Sequence, residues 1–309
     1  MSSRSHVSGV LNTGGTTNIT SSAVGHRPVL TTGPRAAEKG ADGPARADVG
    51  VITILGVETQ AVRLALDLGE DLVGGLRFYT GDVPADDRPV RVAVIRALGQ
   101  GQRSAMAAYD NLRRHHDPRV IVLAGIGGGI HPSVRLDDVV IATRVVYYDL
   151  RKKTPQGTHR RGEEREAPAE LGHAVNAFFT DHDPGDFAVT DPGGTTRSVR
   201  FHHGPIGSGD AVIADGDSGV LRYLASFNDK ILAVDMEAGG LSQASHEESA
   251  GSGRPHGWVV VRGISDDAST AKDDDHHRTA SWHAAVALRE LLPYLKTPRD
   301  ERAAPAARA

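Results

Sequence analysis

Short apolar runs alternate with amphipathic stretches along most of the chain, from about residue 49 to residue 295. The apolar runs have strand length and few polar interruptions, which is typical of strands that are buried on both faces. The predicted strands cover residues 49–55, 91–98, 119–125, 138–149, part of 199–213, 231–237 and 257–265. The predicted helices cover residues 58–68, 104–115, 168–180, 217–227, 238–245 and 277–295. This alternation predicts an α/β fold, a three-layer αβα sandwich around a mixed, mostly parallel central sheet.

The two ends of the chain lack this pattern. Residues 1–47 are rich in Gly, Ser, Thr, Ala and Pro, and residues 298–309 form a polar tail rich in Ala and Pro. Both segments are predicted to be disordered, because they carry too few apolar residues to build a core. An added edge strand around the apolar pairs at 10–11 and 29–30 is the alternative. One folded domain is therefore expected at residues 48–297.

Composition excludes several classes of function. Of the 309 residues, 39% are hydrophobic and 24% are charged, and the net charge is −4, so neither nucleic acid nor a membrane is indicated as a partner. The chain has no cysteine, which excludes disulfides, thiol nucleophiles and thiolate metal sites. No apolar stretch approaches the ~18 residues that a membrane span needs. The first residues also lack the apolar core of a signal peptide, so a cytoplasmic location is expected.

Acidic residues follow three of the predicted strands. Glu58 follows the strand at 49–55, Glu237 ends the run at 231–237, and Asp266 follows the strand at 257–265. Ligands of open α/β folds bind at the carboxyl ends of strands, which makes these three side chains the first candidates for chemistry. The alternative is a structural role, as helix caps or as first-turn acids that the helix dipole favours.

A run of glycines follows the strand at 119–125. Gly125, Gly127, Gly128 and Gly129 would let the backbone approach a ligand closely, or they would form a tight turn that needs positive φ. The segment at 126–132 is expected to be flexible. The spacing does not match a dinucleotide-binding fingerprint or a Walker loop.

Three charged or histidine-rich stretches are weaker candidates for sites. The run DDDHHR at 273–278 is contiguous, so it is predicted to be a solvated helix start and not a set of metal ligands. His202 and His203 are adjacent and would point to opposite sides of a strand. The basic stretch at 151–165 is predicted to be a charged surface loop, or alternatively a place that gathers the phosphates of a ligand. No metal site and no cofactor are therefore expected.

Four motifs occur in an order that resembles the nucleoside phosphorylase and nucleosidase superfamily. They are ITILGVETQAV (52–62), the glycine-containing segment at 122–149, IGSGDAVI (206–213) with AVDMEAGG (233–240), and VVVRGISDDA (259–268). The branch that the chain resembles most is 5′-methylthioadenosine/S-adenosylhomocysteine nucleosidase. The resemblance implies cleavage of the N-glycosidic bond of an adenosine-type nucleoside. It also implies a homodimer or larger homo-oligomer, in which a partner chain often borders the pocket.

The resemblance also implies a role for each site residue. Asp266 would protonate N7 of the purine while Ser265 orients it. Glu58 would position and deprotonate the attacking water, and Glu237 would accept hydrogen bonds from the ribose hydroxyls. The substrate-binding positions would be Met236 against the sugar, the backbone of Ile213 at the purine edge, and Gly125, Ile126, Gly127 and Gly128 on the ribose and water side.

Hydrolysis is favoured over phosphorolysis because the family's phosphate-binding arginines are missing from the matching positions. The first loop carries Glu58 and no arginine, and the glycine segment carries Leu123 and Ile126. A phosphate beside Glu58 would be repelled with no expected cation to compensate.

Three features depart from the nucleosidase pattern. Val212 stands where the nucleosidases carry a stacking aromatic residue that binds the base, and Ile126 replaces a serine. The basic stretch at 151–165, with the N-terminal segment, resembles nucleosidase-like effectors of bacterial defence and signalling, so an ATP-type nucleotide is an alternative substrate. Two more hypotheses are a nucleoside phosphorylase and a catalytically silent nucleoside-binding domain.

Overall fold

The computed structural model describes residues 46–213, 218–268 and 275–295. Residues 1–45 of the N-terminal segment predicted to be disordered, the C-terminal tail and the first residues of the run at 273–278 lie outside these ranges, whereas Ala47 is buried in the core. The fold is built from fifteen strands and six helices in the described residues. The strands are β1 (Val49–Thr53), β2 (Gly69–Val73), β3 (Leu76–Val83), β4 (Val90–Arg96), β5 (Val120–Gly129), β6 (Val139–Ala142), β7 (Arg144–Tyr147), β8 (Arg151–Thr154), β9 (Gly157–Arg160), β10 (Glu163–Glu166), β11 (Asp186–Thr190), β12 (Thr196–His203), β13 (Ile206–Ser208), β14 (Ala233–Asp235) and β15 (Gly257–Asp266). The helices are α1 (Gly56–Ala65), α2 (Gln102–His116), α3 (Ala169–Asp181), α4 (Gly219–Phe227), α5 (Ala238–Ser252) and α6 (Asp275–Leu295).

A mixed sheet forms the middle of the molecule. Strands β4, β1, β5 and β15 run parallel to one another at its centre, and β7, β13 and β14 form a second parallel group. Antiparallel pairings join β14 to the end of β5 and add β3 and β2 at one edge and β10 at the other. Every residue of β1 is buried, as expected of a strand that is covered on both faces.

Helices cover both faces of this sheet. Helices α1 and α3 both pack against α6 on one face, and α2 packs against α5 on the other. The buried residues of α2 recur at helical spacing, which turns one stripe of the helix toward the sheet: Ala105, Ala108, Tyr109, Leu112 and His116. The predicted three-layer α/β sandwich is therefore confirmed. None of the helices in the described ranges is both long and apolar enough to span a bilayer.

Two predicted elements differ from the structure. The glycine segment after residue 125 is not a flexible turn, because β5 continues through Gly129 and pairs with β15 and β14. The predicted strand at 138–149 is broken at Thr143 into β6 and β7, which join different neighbours in the sheet. Because of this break, β6 pairs with β15 whereas β7 pairs with β13.

Several strands were missed by the sequence pattern. Strands β2 and β3 form a hairpin whose residues are mostly part-exposed, so the pattern carries no long apolar run. The basic stretch at 151–165 forms the two-stranded β8–β9 hairpin and then enters edge strand β10. Polar edge strands of this kind have weak apolar signatures, because only one face or one end of them is buried.

Candidate active site

A cleft opens at the carboxyl ends of β1, β5, β14 and β15, with about 680 Å³ of space that protein atoms do not fill. All three predicted acids line it. The lining residues are Ile54, Leu55, Glu58, Gln100, Ile126, Gly127, Gly128, Tyr148, Ala211, Val212, Ile213, Val234, Asp235, Met236, Glu237, Ser265, Asp266 and His277. Segments far apart in the sequence therefore bring their strand ends to one place.

Backbone amides hold the carboxylate of Glu58. This residue lies in the first turn of α1, and its Oε2 accepts hydrogen bonds from the backbone N–H groups of Ile54 at 2.7 Å and Leu55 at 2.8 Å. Its Oε1 accepts from the N–H of Ile126 at 2.9 Å. A first-turn glutamate that accepts from the N-cap N–H forms one half of a capping box, and the other half is missing because Leu55 at the N-cap has no side-chain acceptor. Here the same carboxylate also binds the glycine-rich end of β5, which fixes it in the floor of the cleft.

Gly125 is required by the close approach of two charged groups. A Cβ atom built on Gly125 would overlap the Glu58 carboxylate and would lie 2.7 Å from Nη1 of Arg262. Gly125 does not itself line the cleft, whereas Ile126, Gly127 and Gly128 do. The absence of a side chain at Gly125 therefore lets Glu58 pack beside Arg262.

Arg262 is a buried cation that the sequence analysis missed. Its side chain is 1% exposed in the middle of β15. Nε and Nη2 donate to Oδ2 of Asp235 at 3.0 and 2.7 Å, and Nη2 also donates to Oε2 of Glu237 at 2.9 Å. The expectation that no cation stands near Glu58 was therefore wrong. However, the guanidinium is already bound to two carboxylates, so it is not offered to an inorganic anion.

Three carboxylates surround this single cation. Burial by itself lowers the pKa of Arg262, but attraction to Asp235, Glu237 and Glu58 outweighs it and raises that pKa. The pKa of Glu237 is raised, chiefly because the group is buried, with Asp235 and Glu58 adding repulsion and Arg262 opposing the shift. The repulsion persists because one cation cannot neutralise three buried anions.

The remaining contacts of Glu237 come from the loop after β4. Its Oε1 accepts from the backbone N–H of Gly101 at 2.9 Å. The next residue, Gln102, donates to Oγ of Ser208 at 3.0 Å and accepts from the N–H of Gly240. Asp235 in turn accepts from the N–H of Ala238 at 3.2 Å and so caps the start of α5. These bonds lock the loop at 99–102 and the start of α5 around Glu237.

Asp266 stands at the end of β15, where it pairs with Gly128 of β5. Its Oδ2 accepts from the hydroxyl of Ser265 at 3.0 Å, and its Oδ1 accepts from the N–H of Ala268 at 3.0 Å. Ser265 is buried, whereas the Asp266 side chain is partly exposed to the cleft. The serine is thus placed to orient the carboxyl.

Apart from Gly125, the predicted substrate-binding residues all line the cleft. Val212, Ile213 and Met236 form its wall. Val212 is 51% exposed and offers no aromatic face, so the departure noted in the sequence persists in the structure. Ile126 contributes its backbone N–H to Glu58.

Five polar or charged residues in or behind the cleft wall were not singled out from the sequence. Gln100, Tyr148, Asp235 and His277 line the cleft, and Arg262 lies behind its wall. Arg262 carried a usable signal, because arginine inside an apolar strand is almost never buried unless it is paired. His277 was assigned to a solvated helix start, but the first turn of α6 places it at the cleft.

The histidine and basic stretches have structural partners. His202 lies 2.9 Å from Asp138 through Nε2, and His203 lies 3.4 Å from the hydroxyl of Thr143. In the part of the chain that the structure describes, no group of three or more His, Asp and Glu side chains is arranged to hold a metal ion. In the basic hairpin, Arg160 donates to Asp149 at 3.0 Å and to the carbonyl of Tyr148 at 3.3 Å.

The sequence model of the phosphorylase superfamily matches residues 48–296, so the chain belongs to this superfamily. The family resemblance found in the sequence is thereby confirmed.

Two relatives of the chain are nucleosidases. It is 28% identical over 270 residues to the 5′-methylthioadenosine/S-adenosylhomocysteine nucleosidase of Mycobacterium bovis, covering 80% of this chain and 96% of that one. It is 24% identical over 267 residues to the ATP nucleosidase Cap17 of Escherichia coli (strain KTE188), covering 79% of this chain. The match spans only 50% of the length of that ATP nucleosidase.

A solved structure shares the fold. The 5′-methylthioadenosine/S-adenosylhomocysteine nucleosidase of Neisseria meningitidis, in complex with methylthio-immucillin-A, superposes with a TM-score of 0.61 at 20% identity. The match covers 79% of this chain and 98% of the other. At this identity the likeness supports the architecture described above.

Proposed function

We propose that this protein is a purine nucleosidase that hydrolyses the N-glycosidic bond of an adenosine-type nucleoside, such as methylthioadenosine or adenosylhomocysteine. The observation that carries the proposal is the meeting of Asp266, Glu58 and Glu237 in one cleft. Membership of the phosphorylase superfamily and the nucleosidase relatives support it.

The three carboxyl groups divide the reaction between them. The oxygen of a water molecule attacks the anomeric carbon of the ribose and passes a proton to Glu58. The bond between sugar and base breaks, and the base takes a proton from the Asp266 carboxyl. Glu237 accepts hydrogen bonds from the ribose hydroxyls, for which its oxygens keep free lone pairs beside the N–H of Gly101 and Arg262.

Water is the favoured nucleophile because the cationic group nearest to Glu58 is already occupied. Arg262 binds Asp235 and Glu237, and an added phosphate would meet the excess negative charge of this cluster. The protein should therefore release adenine from methylthioadenosine or adenosylhomocysteine in a buffer without phosphate. Chromatography of the free base, with and without added phosphate, measures this. Base release that strictly requires phosphate, with the 1-phosphate of the 5′-substituted ribose as product, would show a phosphorylase instead.

An ATP-type substrate is the second candidate. The ATP nucleosidase relative favours it, as does the basic β8–β9 hairpin, which begins three residues after Tyr148 in the cleft wall. Arg160 is engaged by Asp149, but Lys152 and Lys153 are exposed, and within the described residues no ion pair involves either of them. Because adjacent strand residues point to opposite sides, at most one of these two lysines faces a bound phosphate group, and replacing both covers either case.

Replacing both lysines separates the two substrates. If the hairpin binds phosphates, the double variant Lys152→Gln/Lys153→Gln should lose roughly tenfold in kcat/KM for ATP and little for methylthioadenosine. Added salt should have the same selective effect on the wild-type protein. Lys230→Gln, at another exposed position, serves as the control. Equal loss with both substrates, or no loss with ATP, would count against a phosphate-binding hairpin.

We also propose that the protein acts in the cytoplasm and forms a homodimer or larger homo-oligomer. Exposed apolar side chains near the cleft, among them Leu98 and Val212, support an assembly that covers them.

A further inference from the structure

The hydroxyl group of Tyr148 is buried without a hydrogen-bond partner in the part of the chain that the structure describes. The side chain is 1% exposed, and it forms part of the cleft wall. Buried polar groups in folded proteins are nearly always hydrogen-bonded, so an unpaired hydroxyl in the wall of a binding cleft indicates a partner that comes with the ligand.

The surrounding backbone holds the Tyr148 ring in place. The backbone N–H of Tyr148 donates to the carbonyl of Ser208 at 3.0 Å, which continues the pairing of β7 with β13. The ring packs against Gly209, where any Cβ atom would overlap it and would lie 2.7 Å from the hydroxyl oxygen. The Arg160 guanidinium also lies 5.9 Å from the ring centre. A hydroxyl fixed in this way cannot turn away to find another partner.

The neighbours of Tyr148 belong to the cleft wall. Its ring is part of an apolar cluster with Val234, Ala268 and the partly buried Ile213. Val234 and Ile213 also line the cleft. Since the backbone of Ile213 is the group expected to meet the purine edge, the base is the part of the nucleoside that would lie along this stretch of the wall.

The chemistry of the hydroxyl suits recognition of a base edge. Burial, with Asp149 and Asp235 adding repulsion, raises the pKa of Tyr148 above its ordinary value, so the phenol stays protonated in neutral solution. A neutral phenol can donate to a ring nitrogen and accept from an exocyclic amine. Val212 contributes no stacking surface, which leaves the base in need of such a contact.

We propose that the Tyr148 hydroxyl hydrogen-bonds the purine base of the bound nucleoside and so contributes to base selection. This inference rests on the proposed nucleosidase function, because it places a purine in the cleft. The residue is a specificity determinant and takes no part in the proton transfers assigned to Asp266 and Glu58.

The test compares adenine binding by the wild-type protein and Tyr148→Phe, measured by calorimetry. Loss of one hydrogen bond to the base should weaken adenine binding about tenfold. The same variant should raise KM for methylthioadenosine by a similar factor, while the thermal midpoint of the ligand-free protein stays unchanged or rises. Tyr109→Phe is the matched control, because Tyr109 in α2 is also 1% exposed but does not line the cleft.

Every outcome of this test either supports or overturns the inference about Tyr148. Unchanged adenine affinity in Tyr148→Phe, an equal loss in Tyr109→Phe, or a lowered thermal midpoint with unchanged affinity would overturn the inference. Wild-type protein that binds no adenine would also overturn it. A selective loss of adenine binding, in a protein that releases no base from any nucleoside, would uphold the Tyr148 contact and reject the proposed hydrolysis.

Discussion

Replacing Asp266 by Asn should lower the rate of adenine release by about 10²- to 10⁴-fold, the usual contribution of a positioned general acid. The amide keeps an oxygen to accept from the N–H of Ala268, so the local structure should survive while the transferable proton is lost. Initial rates with saturating methylthioadenosine measure the effect. KM should change far less than kcat, because the proton is needed only as the bond breaks.

Asp267→Asn provides the matched control for this experiment. It removes a carboxyl from the adjacent position, which is exposed and does not line the cleft. It should retain nearly wild-type turnover. If Asp266→Asn kept near-normal kcat, Asp266 could not be the acid, and the assignment of roles in the cleft would have to be abandoned.

The second large effect concerns stability. Removing Arg262, as in Arg262→Met, should destabilise the protein by about 3–5 kcal/mol, the cost of breaking a buried ion pair by deleting one partner. The reason is that Asp235 and Glu237 would remain buried with no cation to compensate them. Urea unfolding followed by circular dichroism measures the loss, and activity should fall with it because Glu237 loses an orienting bond.

Two further variants test whether the loss of the buried positive charge causes the destabilisation. Asp235→Asn combined with Arg262→Met should recover part of the lost stability, because one stranded carboxylate is removed. Arg200→Met breaks the surface pair with Asp186, in which the arginine side chain is 52% exposed, and should have only a small effect. Arg262→Met as stable as the wild type would show that the acidic cluster does not depend on this cation.

The features that the sequence predicted well share one property, which is a strong local signal. Continuous apolar runs predicted β1, β5 and β15, and the acids at strand ends marked Glu58, Glu237 and Asp266 as candidates, which the structure brings to one cleft. Both signals follow from burial, which constrains residue type position by position. The order of the four family motifs along the chain then indicated the superfamily, which no single strand could indicate.

The features that were missed depend on contacts between distant segments. Arg262 was passed over as part of an apolar strand, although its charge is explained only when Asp235 and Glu237 from another segment are placed against it. In the sequence, Tyr148 cannot be distinguished from other strand residues, because its importance depends on the residues that surround its hydroxyl group. The glycines after Leu123 suggested a turn, because residue type alone does not distinguish positive φ from an extended backbone with crowded neighbours.

The way Glu58 is held has a consequence for how this sequence can diverge. All three donors to its carboxylate are main-chain groups, those of Ile54, Leu55 and Ile126. The side chains at these positions can therefore change without loss of the three hydrogen bonds, as the isoleucine in place of a serine at 126 illustrates, although the buried Ile54 must stay apolar to fill the core. The one replacement that every such position must resist is proline, since it alone lacks the N–H.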